Sequence, residues 1–579
     1  MKRILFLAIT LLALTTKIVA AEGAALKISP YEFKAADGTK VRAELGELAV
    51  PESRSRDDSR TITLRFVRFP STAKNNAGSP IVYLAGGPGG SGIAAARGTR
   101  LPLFMALREF ADVIALDQRG TGMSGGNDLA CDEPFAIPFD RPLDPVQAGR
   151  ILADAMGRCA ARLRRAGIDP AAYNTRESAN DLEDLRVALG AKKLTLWGIS
   201  YGTHLALATL KDHGTSVERV ILAGLEPLDG TLKLPTDQQE LMERIAALAV
   251  QDPAVHRALP DLVGSVQKLL AKLAEEPQTV VLTHPLNGMS APVTVGRSDL
   301  QSALAGMLEG PATFAAMPDF IARLEQGDWT ALALASGGRR IGKAPSMMSV
   351  AMDCASGASA ERTRRIAKEA GSTLLGDAIN LPWPGICEGL DVPDLGDAFR
   401  APFSSDVPAL LISGTLDGRT SVRNGEAVAR QMKSAQHLVI EGAGHSDPLF
   451  LSSPKILAAM KTFLRGKKVR DLRIALDQPV HFIVPRPVVT VAPETLKRYV
   501  GTYRLAEGDT RRVVMAGTIL YTLRNQGEPF PLRPQSETDF FYENMDAGAR
   551  FVVDESGKVT GMFTRQSRDA KEVWAEKVE

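Results

Sequence analysis

The chain has 579 residues, beyond the roughly 250 to 300 at which a single hydrophobic core stops growing, so at least two structural units are expected. At 45% hydrophobic and 23% charged residues its composition is that of a soluble globular protein and argues against disorder and a polytopic membrane fold. Sixty-nine basic against sixty-seven acidic residues leave a net charge of +2, which offers no general field for nucleic acid or anionic lipid.

Lys2 and Arg3 precede an apolar run at 4–14, and the small residues Val19, Ala20 and Ala21 follow. That order is read as a secretory signal peptide, residues 1–21, cut after Ala21. The run is shorter than the ~20 residues a spanning helix needs, so no integral membrane association is expected and the protein is placed outside the cytoplasm, periplasmic or secreted. Disulfides persist there, and Cys131, Cys159, Cys354 and Cys387 are even in number. Three connectivities are open; the two sequence-local pairs, Cys131 with Cys159 and Cys354 with Cys387, are favoured. With no C-x-x-C and no H-E-x-x-H, no metal site is expected.

Short apolar runs at 80–84, 113–116, 194–197, 220–222, 409–412 and 437–440 end in Gly-rich or acidic turns and read as buried strands. Helical patterns lie between them, as at 179–189, where Leu182, Leu185 and Leu189 share a face and Gly190 signals a stop. Alternating strand and helix imply an α/β fold with a mostly parallel sheet, helices on both faces and ligands at the carboxyl ends of the strands. The strand rhythm lapses after Pro227, so a mainly helical cap, 228–400, is expected as an insertion in a core formed by 22–227 and 401–465. A linker, 466–490, then leads to a small β domain, 491–579.

The pattern G-x-S-x-G occurs at Gly122-Met123-Ser124-Gly125-Gly126 and at Gly198-Ile199-Ser200-Tyr201-Gly202. Only Ser200 has a strand before it and a helical run, 203–211, behind it, the setting of a nucleophile elbow. A serine hydroxyl is a weak nucleophile and needs a base that is itself oriented by a carboxylate. His445, in Gly442-Ala443-Gly444-His445, and Asp417, in Ser413-Gly414-Thr415-Leu416-Asp417, each follow a strand, giving the order Ser, Asp, His. His204, four residues past Ser200, reads as a packed helix residue. Backbone N–H groups of Tyr201 and of Gly87, in Ala85-Gly86-Gly87-Pro88-Gly89-Gly90, are the candidate oxyanion donors.

These residues resemble the prolyl aminopeptidase and tripeptidyl aminopeptidase family of α/β-hydrolase serine peptidases. The resemblance rests on Gly86-Gly87-Pro88-Gly89, on Asp117-Gln118-Arg119-Gly120-Thr121-Gly122-Met123-Ser124, on the Ser200 pentapeptide, and on Asp417 and His445; it covers about residues 30–465. Cys354 and Cys387 look like the family's cap cysteines. The family commonly has His where this chain has Ala85, but the oxyanion donors are backbone groups and catalysis is expected to survive the change. The resemblance implies removal of residues from free N-termini through an acyl-enzyme on Ser200, without a cofactor. A peptide's terminal ammonium needs a carboxylate in a dry pocket, and Glu226, at a strand end, is the candidate. The segment from Pro493 through Gly501-Thr502-Tyr503 to Gly561 is similar to the small β domain appended to some exported serine hydrolases related to penicillin-binding proteins.

The expected protein is thus an exported serine aminopeptidase acting on a peptide or small-molecule substrate. An esterase or amidase of the same fold is the alternative, and an exported binding protein without catalysis is the third.

Overall fold

The computed structural model of the chain describes residues 25–74, 78–477, 480–505, 508–525, 527–567 and 570–578. The signal-peptide reading lies outside them. One ten-stranded sheet organises the first unit, in spatial order Leu26–Lys34, Lys40–Pro51, Thr61–Phe69, Val113–Leu116, Ile81–Leu84, Leu194–Ser200, Val217–Leu225, Ala409–Gly414, Ala435–Glu441 and Arg473–Ala475. From Val113–Leu116 onward all neighbours are parallel, as the alternation of strand and helix requires. The first three strands form an antiparallel extension that pairs through Thr61–Phe69. Their polar-alternating composition gave no buried-run signal in the sequence.

The central strands are apolar on both sides because both faces are covered. Val82, Leu84, Leu196, Leu222 and Leu411 join one apolar layer, where the helices Pro145–Arg165, Thr175–Ala188 and Tyr201–His213 contribute Met156, Leu182 and Leu205. Their strand neighbours Ile81, Tyr83, Trp197, Ile221 and Leu410 point the other way, into a layer with Phe104, Ile456 and Met460 from Leu101–Leu107 and Pro454–Leu464. Period-2 alternation in the sheet therefore divides one strand's residues between two cores. The helices begin where capping residues stop the strand-like chain. Asp144 accepts from the N–H groups of Val146 and Gln147, and Asn174 from that of Glu177.

Between Leu225 and Ala409 the chain leaves the sheet and builds a cap with its own apolar cluster, including Leu241, Ile245, Leu269, Leu304 and Phe320. The cap is mainly helical, as expected, but contains an antiparallel hairpin, Gln278–Thr283 with Ser290–Val295. Cys131 bonds Cys159 and Cys354 bonds Cys387, each pair with Cα atoms 5.6 Å apart. The small C-terminal β domain is an eight-stranded antiparallel barrel. Its first strand, Gly501–Leu505, pairs with its last, Val573–Lys577, so no edge is left open. Tyr503, Phe540, Phe551 and Met562 fill its interior. Among the described residues no helix is long and apolar enough to cross a membrane.

Candidate active site

Ser200 ends the strand Leu194–Ser200, and the helix Tyr201–His213 starts at the next residue. The reversal puts Ser200 at φ 55° and ψ −127°, a conformation that L-residues hold only when their surroundings force it. Both glycines of the pentapeptide allow the close approach. A β-carbon at Gly198 would lie 2.6 Å from the Gly202 carbonyl oxygen, and one at Gly202 would collide with the carbonyl of Leu84. The strained turn lifts Ser200 into a cavity of about 770 Å³ at the carboxyl ends of the strands.

His445 lines the same cavity, on the loop after Ala435–Glu441. Its Nδ1 lies 2.8 Å from Oδ2 of Asp417, on the loop after Ala409–Gly414. Asp417 is buried and takes three further hydrogen bonds, from the N–H groups of Arg419 and Thr420 at 2.8 Å each and from the Thr420 hydroxyl at 2.7 Å. Burial opposes its charge, but His445 and Thr420 together hold the carboxyl below its ordinary pKa. An ionised Asp417 fixes the proton on Nδ1, which leaves Nε2 as the acceptor. Among the described residues the Ser200 hydroxyl and Nε2 make no direct hydrogen bond; such contacts commonly tighten only when substrate binds. Thr420 was missed in the sequence, where its signal was only its place three residues after Asp417.

Gly86, Gly87, Pro88 and Gly90 form another wall. A β-carbon at Gly86 would sit 2.8 Å from Cβ of Ser200, and Gly87 has φ 124°, so this loop must be bare to lie against the serine. It is braced from behind. Gln118 donates to the carbonyl of Ala85 at 3.0 Å, and Asp117 accepts from the Ser91 hydroxyl at 2.6 Å and from the N–H of Ile93 at 3.0 Å. The motif beginning at Asp117 therefore shapes the glycine loop. Tyr201, the first residue of the helix after the elbow serine, buries its ring and places its hydroxyl 3.2 Å from that of Thr175.

Glu226 follows Val217–Leu225, is buried, and lines the cavity as its strand-end position suggested. Its carboxylate already has a cation, Lys233, at 2.6 Å. Burial would raise its pKa, yet Lys233 and then His204 keep it below the ordinary value. His204 is fully buried, held between the Pro227 carbonyl and the Ser356 hydroxyl at 3.2 Å each; it is a packed helix residue, and burial lowers its pKa. Sequence reasoning missed Asp353, on the cap helix Met347–Ser356, which lines the same cavity. Burial, and secondarily the charge of Glu226, pushes Asp353 up to about 8. The wall thus holds four carboxylates, Glu226, Glu309, Asp353 and Asp447, and three cations, Arg100, Lys233 and Arg419.

Residues 79–450 match the family model described as alpha/beta hydrolase fold, and residues 485–577 match a domain of unknown function, DUF3471. The chain is 31% identical over 216 residues to the serine protease Hip1 of Mycobacterium tuberculosis, covering 35% of this chain and 40% of that protein. It is 31% identical over 170 residues to the tripeptidyl aminopeptidase of Streptomyces lividans, covering 28% of this chain and 31% of that one. The matched stretches span less than half of these relatives. A solved proline iminopeptidase-related protein from Thermus thermophilus is similar at 17% identity and TM-score 0.32, covering 74% of this chain and 98% of that one. With more than half of its length matched by that family model, and with the sheet, elbow and strand-end loops described above, the chain belongs to the α/β-hydrolase fold family and is a hydrolase.

Proposed function

We propose that the protein is an exported serine aminopeptidase. His445 Nε2 takes the Ser200 proton as Oγ bonds the scissile carbonyl carbon, while Asp417 holds the imidazole and stabilises its cationic form. The N–H groups of Gly87 and Tyr201 receive the developing oxyanion. The tetrahedral intermediate collapses as the C–N bond breaks, and His445 returns the proton to the leaving amine. Water, deprotonated by the same imidazole, then releases the acyl group from Ser200. No step needs a cofactor.

The observation that carries an aminopeptidase over an esterase is the pair of carboxylates, Glu226 and Asp353, in the wall of the cavity that holds Ser200. Lys233 pairs with Glu226, Arg100 with Asp447 and Arg419 with Glu309, so among the described residues Asp353 is the lining carboxylate left to meet a substrate ammonium. An ammonium beside Asp353 favours its ionised form and offsets the burial that opposes it. An ester or a blocked peptide has no such group to offer. The similarity to a tripeptidyl aminopeptidase and to a serine protease supports the same reading. Two disulfides fit an oxidising compartment, in keeping with export.

Chromogenic peptides with free and with acetylated N-termini test the proposal. Hydrolysis confined to free termini, and lost in Ser200→Ala, is expected. Equal rates on both, or activity on esters alone, would move the protein to the esterase or amidase reading.

A further inference from the structure

Among the described residues the C-terminal barrel contributes nothing to the cavity wall, yet its contact with the cap is built from buried charge. Arg323, on the cap helix Met317–Glu325, lies 2.5 Å from Glu543 of the barrel and 3.5 Å from Asp319, one turn back on its own helix. Arg533 of the barrel donates to Asp328 of the cap at 2.5 Å. Arg486, in the linker, donates to both oxygens of Asp319, through its backbone N–H at 2.9 Å and its guanidinium at 3.1 Å. That guanidinium also lies 4.0 Å from the ring centre of Phe541 in the barrel. Three cations and three anions thus close a neutral cluster drawn from cap, linker and barrel. All six side chains are at most 16% exposed. Removing one member leaves another charge buried without its counterpart, which costs far more than the intact pair contributes. A contact of this kind fixes one geometry; a passive tether would not need it.

The fixed geometry leads to the acid and base loops. The N–H of Ile483 in the linker donates to the carbonyl of Ala315, just before the helix bearing Asp319 and Arg323. Phe482 enters the apolar cluster that holds Leu308 and Phe314 of the cap and Leu416, the residue before Asp417. Leu308 and Pro311 then rest directly on the loops. A β-carbon at Gly418 would collide with the Leu308 carbonyl, and one at Gly444 with the ring of Pro311. Gly418 adjoins Asp417 and Gly444 adjoins His445. The cap segment 308–317 is therefore held by the linker on one side, runs into the helix that the barrel grips through Arg323, and bears on both loops on the other side.

We propose that the barrel is a buttress for the acid and base loops, with Glu543 and Arg533 acting as positioning residues for Asp417 and His445 through the cap segment 308–317. This rests on the roles proposed above for Ser200, Asp417 and His445. A displacement of about 1 Å at a reacting group costs on the order of 100-fold in rate, so a small tilt of the cap segment suffices to be measured.

The test uses the full chain as wild type, Glu543→Leu, Glu543→Asp, Arg533→Gln and Ser200→Ala. Each is followed by kcat, KM, the pH profile of kcat and the rate of inactivation by a small fluorophosphonate, at a temperature where circular dichroism shows a native fold. Glu543→Leu is expected to lose about tenfold or more in kcat, to displace the acid limb of the profile and to slow inactivation. Glu543→Asp, which keeps the charge, recovers most of the loss. Arg533→Gln acts in the same direction more weakly and decides the question if Glu543→Leu does not fold. Wild-type kcat, pH profile and inactivation rate in the folded variants overturn the buttress, as does a change confined to KM. Failure of the underlying site assignment shows separately, as activity retained by Ser200→Ala.

Discussion

Two pentapeptides of one pattern put their serines in opposite environments. Ser124 sits in a single helical turn, Gly122–Gly126, at φ −91°; it is 4% exposed, its hydroxyl donates to the Asp117 carbonyl at 2.7 Å and accepts from the N–H of Arg65 at 2.7 Å. Ser200 sits at a strained turn between strand and helix, and its hydroxyl opens on the cavity. One serine uses its hydrogen-bonding capacity to join a loop to the sheet; the other faces the cavity, where we propose that it meets a substrate. The pattern of glycines permits either fate. What decides is whether a strand aims the turn at the carboxyl end of the sheet, where the loops of Asp417 and His445 also emerge.

The sharpest way to break this comparison is to remove each hydroxyl in turn. Ser200→Ala is expected to lower kcat on the order of 10⁶-fold while leaving the fold intact. Ser124→Ala should keep activity within a few-fold and lose stability, by about 1–3 kcal/mol, because the N–H of Arg65 loses its acceptor. Steady-state kinetics and denaturant unfolding of both variants check the pair; comparable loss of activity in the two would erase the distinction.

Asp417→Asn comes next, at about 10⁴-fold in kcat, since an amide no longer fixes the proton on Nδ1 of His445. Asp353→Asn should act on binding. A loss of about 2 kcal/mol, near 30-fold in kcat/KM, is expected for free-amine peptides, with blocked substrates scarcely affected. An equal loss on both kinds of substrate would show Asp353 to be structural.

The smallest effect concerns stability against pH. Asp353 is raised to about 8 in the folded protein, from near 4 in an unfolded chain. Between those values the folded state keeps a proton that the unfolded state has lost, so this contribution is full below about pH 4 and is lost as pH rises to about 8. Glu226, Lys233 and Arg419 set the local field and remain in Asp353→Asn. The variant's melting temperature should therefore gain on wild type as pH rises through this window. Parallel curves would contradict the assignment.

Much of the core was legible because its signals are local. The elbow is five residues long, and the strands before Ser200, Asp417 and His445 are short, mainly apolar runs whose order sets the site. The antiparallel strands at 26–69 gave no such signal, since they are partly exposed and mix charge with apolar residues. Asp353 was hidden for a different reason. It lies on a cap helix, 127 positions beyond Glu226, and only the docking of cap on core brings the two to one cavity. Lys233 was invisible likewise, as a lysine in a loop carries no mark of a buried ion pair. The closure of the barrel, and the charges it shares with the cap, are long-range facts that no periodicity encodes.

The central claim, that Ser200 and not Ser124 is the nucleophile, is tested most directly by treating the folded protein with a fluorophosphonate and locating the adduct by peptide mass mapping. A single adduct on Ser200, absent in Asp417→Asn on the same time scale, is the predicted result. An adduct on Ser124, or no adduct on Ser200 in protein that hydrolyses its substrate, would contradict it.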